Sequence, residues 1–199
     1  MKKTKLPKLN NKNYNYLSYV IGIVVVLFFC ISLIVPKQDS ALIIKPVEMS
    51  ETAKNVLVST KNIIVREGNI PSDVASRYAV MIYEASSKHN VDPLLILSVM
   101  SIESKFKSDA ISGAKAIGLM QIIHFWHQEK TTQANLFRPE NNINVGTQIL
   151  AEYTKKSKSE TETLLRYNGS LGKSNKYAIK VLTKKQEYKN EIMKAIGNT

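Results

Sequence analysis

The sequence holds one cysteine, Cys30, one tryptophan and three histidines, and its 16 acidic residues are outnumbered by 28 basic ones. A lone cysteine excludes an internal disulfide and any metal site built on paired thiolates. His124 and His127 have no evident third ligand beside them, so they are assigned to surface or loop, and neither a metal site nor a cofactor is expected. No nucleic-acid-binding motif accompanies the basic surplus, so nucleic acid is not expected as a partner. The sequence from residue 71 onward shows no clear strand alternation and no internal repeat, which leaves an all-α architecture with short connections.

No acidic residue precedes Asp39, whereas Lys2, Lys3, Lys5, Lys8 and Lys12 do. Between these lysines and Asp39 lies one long apolar run, LSYVIGIVVVLFFCISLIV, residues 17–35. At 1.5 Å per helical residue it is long enough to span a hydrocarbon core of about 30 Å. The basic flank predicts a cytoplasmic tail over 1–16 and an outward orientation for the chain beyond the span. A cleaved signal peptide is the rival reading, but Val35-Pro36-Lys37 is a poor cleavage site. Setting aside the five N-terminal lysines leaves 23 basic residues against 16 acidic ones, a net charge of +7 outside the membrane. Such a surface suits an anionic polymer.

Residues 36–70 mix short apolar runs with charges and are treated as a linker or stalk of uncertain structure, with 52–64 compatible with a helix. The compact domain is expected over 71–199. Ser72 is read as the cap of a first helix reaching Lys88. Asp92-Pro93 opens a second, ending near Lys105. A third is expected from Gly118 through Leu119, Met120, Ile122, Ile123 and Trp126, with Trp126 read as a core anchor in preference to a platform for stacking on a sugar. A fourth starts at Asn141 or Asn142, where Gly146 implies a close contact with another helix. A fifth starts at a Ser159/Glu162 capping box, and the last begins near Ser174.

The second helix is apolar on nearly every side, the mark of a buried helix. Yet Glu103 stands at its C-terminal end. Burial and the negative end of the helix dipole both disfavour an ionised carboxylate there, so Glu103 is expected to hold its proton near neutral pH and to serve as a general acid. The bland alternative is a surface charge at a helix end.

The residues around Glu103 favour the chemical reading. Glu103-Ser104 is followed by Ser112 in a Gly-containing loop, by Gly118-Leu119-Met120-Gln121, and later by Tyr167-Asn168. In this order and spacing the chain resembles the lytic transglycosylases of the soluble-lytic-transglycosylase (SLT) type, glycoside hydrolase family 23. Val91-Asp92-Pro93, Asn142-Ile143 with Gly146, and Tyr177 with Val181-Leu182 add to the likeness, which covers residues 72–182. Lys115-Ala116 stands where the family often has Gly-Ala, and Tyr167-Asn168-Gly169-Ser170 where it often has Tyr-Asn-Ala-Gly.

The resemblance implies a lysozyme-like, goose-type helical domain, which the apolar run over 17–35 is expected to precede as a single N-terminal transmembrane helix. It implies a peptidoglycan lytic transglycosylase in which Glu103 acts first as acid and then as base, forming a 1,6-anhydro-muramic end. Ser112, Met120, Gln121, Tyr167 and Asn168 are the expected substrate-binding residues, with Tyr167 reaching the glutamate or the sugar. Peptidoglycan glycan strands and the membrane are the expected partners, with a secretion, conjugation or phage assembly as a further one. The expected location is the outer face of a bacterial inner or sole membrane, or a phage membrane. No convincing second carboxylate accompanies Glu103; Asp109, Glu129 and Glu140 are assigned to loops. A hydrolytic muramidase and a non-catalytic wall-binding scaffold on the same fold stay open as alternatives.

Overall fold

The computed structural model describes residues 50–197. The expected tail over 1–16, the membrane span over 17–35 and the first part of the 36–70 segment lie outside the described residues. Among the described residues no helix is long and apolar enough to cross a membrane.

Six α-helices carry this part of the chain: α1 Glu51–Gly68, α2 Ser72–His89, α3 Pro93–Ser104, α4 Pro139–Lys155, α5 Glu160–Tyr167 and α6 Lys176–Gly197. Between α3 and α4 lie two short strands, β1 Ala116–Ile117 and β2 Ile122–Ile123, and two 3-10 turns. The mainly helical architecture agrees with the expected class.

Helix α3 is the axis of the core. Asp92 caps it, its carboxylate accepting from Leu94 N at 2.9 Å, and Pro93 occupies the first turn. Every residue from Pro93 to Ser101 is buried. Each Leu or Ile so enclosed contributes roughly 1.5–3 kcal/mol, which secures the helix from all sides. It stops at Lys105, which adopts a left-handed φ of 50° while its N–H still bonds Ser101 O.

The segment treated as a linker holds α1. Ser50 caps α1, and Ala53, Val56, Ile63 and Ile64 are buried in the common core. The helix packs chiefly on α2 and α6. The packed unit therefore starts some twenty residues before Pro71, and its apolar positions at three- and four-residue spacing explain why. Ser72 is not a cap; it is the first helical residue of α2, and Pro71 precedes it without a side-chain bond.

The helix expected from Gly118 is instead an antiparallel hairpin. Ala116 pairs with Ile123 and Ile117 with Ile122, and Ile111 bridges to Ile117. Gly118 (φ 75°) and Gln121 (φ 49°) adopt left-handed conformations that end any helix, so the apolar spacing of 119–126 misleads. The chain then turns through His124–Trp126, and Phe125 and Trp126 are each 68% exposed. Trp126 is thus a surface residue, stacked edge-on against Phe125 at 4.9 Å, and not a core anchor.

Helix α4 opens at Pro139, a little before the expected start. Ser159 caps α5 as expected, accepting from Glu162 N at 3.2 Å, while the Glu162 carboxylate reaches back to Lys158 N at 2.9 Å.

Candidate active site

Glu103 sits in the last turn of α3 and is largely buried. Its Oε1 accepts the Tyr177 hydroxyl at 2.6 Å across 74 residues of chain. Burial pushes the Glu103 pKa up to about 6, against a smaller opposing pull from the Tyr177 bond. Among the described residues no second carboxylate acts on it. Because Oε1 is occupied as an acceptor, Oε2 is the oxygen free to carry a proton. Tyr177 itself is held well above the usual phenol range by burial and by the Glu103 charge, so it stays a neutral donor.

Three structural supports fix this acid. The first is Ser104, the next residue, whose buried hydroxyl donates to Leu119 O at 2.8 Å and so ties the end of α3 to the hairpin. The second is Tyr167 at the end of α5. Its hydroxyl donates to Met120 O at 2.8 Å, and its pKa is raised by burial and then by the Glu103 charge, which places the two groups in one electrostatic neighbourhood. The third is Asn142 on α4, which is buried. Its Oδ1 accepts from Met120 N at 2.8 Å, and its Nδ2 donates to Ile117 O at 2.9 Å and Leu136 O at 2.8 Å. One side chain thus satisfies two backbone groups of the hairpin and one of the 3-10 turn Ala134–Phe137, joining the two.

The expected site residues fall into distinct places. Tyr167 comes into the Glu103 neighbourhood, but its phenol bonds the hairpin and not the glutamate; the tyrosine on the glutamate is Tyr177. The Met120 side chain is wholly buried, packed against Gly146, so it fills the core beneath the hairpin. Ser112 Oγ accepts from Ala116 N at 3.0 Å and closes the loop leading into β1. Gln121 Nε2 donates to Ala110 O at 3.1 Å and Gly118 O at 3.0 Å, bracing the same loop. Asn168 is exposed at the C-terminal end of α5. Asp109, Glu129 and Glu140 are exposed, and Glu129 is paired with Lys130 at 2.8 Å.

The architecture and the single acid invite comparison with known proteins. Residues 80–191, more than half of the chain, match the transglycosylase SLT domain. The chain belongs to the transglycosylase SLT family. Several relatives in this family are each called membrane-bound lytic murein transglycosylase C. The Serratia proteamaculans protein is 39% identical over 87 residues, covering 39% of this chain and 24% of the relative. The Photorhabdus laumondii protein is 34% identical over 116 residues, covering 49% and 32%. A Klebsiella pneumoniae protein is 41% identical over 87 residues, covering 39% and 24%. The chain thus matches a quarter to a third of the length of these curated relatives. The SLT match starts inside α2, so α1 lies outside it.

Tyr177 and Asn142 are the groups that sequence reasoning did not assign to the site, although both stand in stretches that carry the family likeness. A buried Asn in an apolar helix face was the available signal for Asn142, since such a side chain needs partners. No local signal marks Tyr177, because its partner lies 74 residues away.

Proposed function

We propose that this protein is a peptidoglycan lytic transglycosylase that cleaves the β-1,4 bond between N-acetylmuramic acid and N-acetylglucosamine. The observation that carries the reading is a lone, largely buried carboxyl with its pKa near 6, held by Tyr177. In the first step the Oε2 proton goes to the glycosidic oxygen as the C1–O bond breaks, since that oxygen leaves poorly until protonated. In the second step the carboxylate so formed takes the proton of the muramic C6 hydroxyl while that oxygen bonds C1. The proton count returns to its start and no water is consumed. A single acid used twice suffices, whereas hydrolysis on the usual scheme needs a second carboxylate. Ser112, Gln121 and Asn168 are the candidates for polar contacts to the glycan, and Tyr167 for alignment of the hairpin beside it. The names of the relatives and the apolar run over 17–35 support attachment to a membrane, with the domain outside and cleavage confined to nearby wall.

The test is digestion of purified cell wall with wild type and Glu103→Gln. Wild type is expected to release 1,6-anhydro-muramic products. The variant is expected to lose about a hundredfold or more of the rate, the usual weight of a general acid. Reducing muramic ends would make the enzyme a hydrolase, and equal clearing by both proteins would remove Glu103 from the chemistry.

A further inference from the structure

The inward face of α6 does more than carry Tyr177. Tyr177, Val181, Lys184 and Tyr188 recur at four- and three-residue spacing and so share one side of the helix. Tyr177 bonds Glu103, and eleven residues on, the Tyr188 hydroxyl donates to Ser101 Oγ at 2.8 Å, two residues before Glu103. The two tyrosines therefore grip the last turns of α3 from two points. Between them Lys184 reaches Glu67 on α1 at 3.1 Å. The Ser101 hydroxyl points to the same Glu67 carboxylate at a long 3.5 Å. Arg66 adds a bidentate clasp to Glu191, at 2.7 and 3.0 Å, further along α6. Arg66 also lies 3.5 Å from Glu67, and Lys184 has a second partner in Glu187 at 3.1 Å. Arg66 and Glu67 both belong to a helix outside the stretch that matches the SLT family.

We propose that Glu67 is a positioning residue: by joining Lys184 of α6 to Ser101 of α3, it fixes the register in which Tyr177 meets Glu103. The catalytic unit of this protein then includes α1. The proposal rests on the transglycosylase reading.

The groups facing Glu103 are Tyr177 from α6 and Tyr167 from α5. Those facing Glu67 are Arg66, Lys184 and Tyr188, with Ser101 at longer range. Burial alone would raise the Glu67 pKa, but the bonds from Lys184 and Tyr188 and the cationic charges outweigh it and keep Glu67 ionised. Loss of the Glu67 contacts lets α6 shift and weakens the Tyr177 bond. That bond favours the ionised form of Glu103, so its loss raises the Glu103 pKa. Deleting the Glu67 charge alone has the opposite sign, because removing a negative charge lowers the pKa of a nearby acid. Direction separates positioning from direct electrostatics.

The experiment follows kcat/KM against pH with soluble glycan strands, using the full chain as wild type, Glu67→Gln, Tyr177→Phe and the double variant. The alkaline limb reports the acid of the free enzyme. Glu67→Gln is expected to move that limb upward by about half a pH unit or more. It is expected to lower kcat about tenfold with KM little changed, as a misplaced catalytic group does. In the Tyr177→Phe background it is expected to add nothing to the limb, because both changes act through one bond. A limb that stays in place, moves downward, or still shifts in the Tyr177→Phe background overturns the proposal. Should Glu67→Gln fail to fold, Glu67→Asp keeps the charge but shortens the reach to Lys184 and Ser101, so it is expected to move the limb upward as well, where direct electrostatics predicts no shift. If instead Glu103→Gln is fully active, the transglycosylase reading itself has failed, an outcome distinct from any of these.

Discussion

At the scale of single residues, the burial of Glu103 makes its contribution to stability depend on pH. Its folded pKa of about 6 lies above the ordinary 4.5, so the folded state favours the protonated form. The corresponding stabilisation is complete below the unfolded pKa and is lost as pH rises through the folded one. It amounts to at most about 2 kcal/mol, since one pKa unit is about 1.4 kcal/mol and the side chain is not wholly enclosed. Gln at this position does not titrate. Glu103→Gln is therefore expected to gain stability relative to wild type as pH rises from about 4 to about 7, measured by urea unfolding at both values. A gap that does not change with pH would mean that the carboxyl is well solvated. The acid was legible in the sequence because a carboxylate at the end of an apolar helix breaks an otherwise uniform pattern. Its phenol partner was not, because nothing local to Tyr177 records a contact made by folding.

At the scale of elements, the hairpin between α3 and α4 is the most demanding piece. Its strands are two residues each, so its own ladder is slight and Asn142 supplies much of the order. Asn142→Ala removes three buried hydrogen bonds and is expected to cost about 3 kcal/mol or more, read as a lowered urea midpoint, with activity lost alongside. Gly146 is the second support. A Cβ there would overlap Met120 Sδ and press on Met120 Cβ. Gly146→Ala is expected to destabilise by about 1–3 kcal/mol, as overpacking does. Because the clash is with Met120, the double variant carrying Met120→Ala should lose less than the sum of the two single changes, in a thermodynamic cycle. The close contact at Gly146 was readable from a glycine inside a helix, although its partner is a hairpin side chain and not another helix. The hairpin itself was not readable. Leu119, Met120, Ile122 and Ile123 are spaced as a helix would space them, and the outcome is decided by left-handed backbone at Gly118 and Gln121 and by the distant Asn142.

At the scale of the whole molecule, the domain extends beyond the stretch that the family likeness covers. Helix α1 was not assigned to it in the sequence because charged residues interrupt its apolar positions. Ile63 and Ile64 are nonetheless wholly buried, and Thr60 bonds Tyr83 of α2 at 3.2 Å. A chain lacking residues 1–49 is expected to fold and to cleave wall while leaving the membrane fraction. One lacking 1–69 also loses the buried face of α1 and is expected to aggregate or to lose its cooperative unfolding. Fractionation of cells and circular dichroism on heating distinguish the two. If the shorter chain unfolds as sharply as the longer one, α1 is an accessory and not part of the core.

The bond between Tyr177 and Glu103 also sets a timetable. Ribosomes deliver the glutamate long before the phenol, so a half-emerged polypeptide holds an untuned acid and an open core. The carboxyl of Glu103 gains its phenol partner only once α6 has been made, 74 residues later.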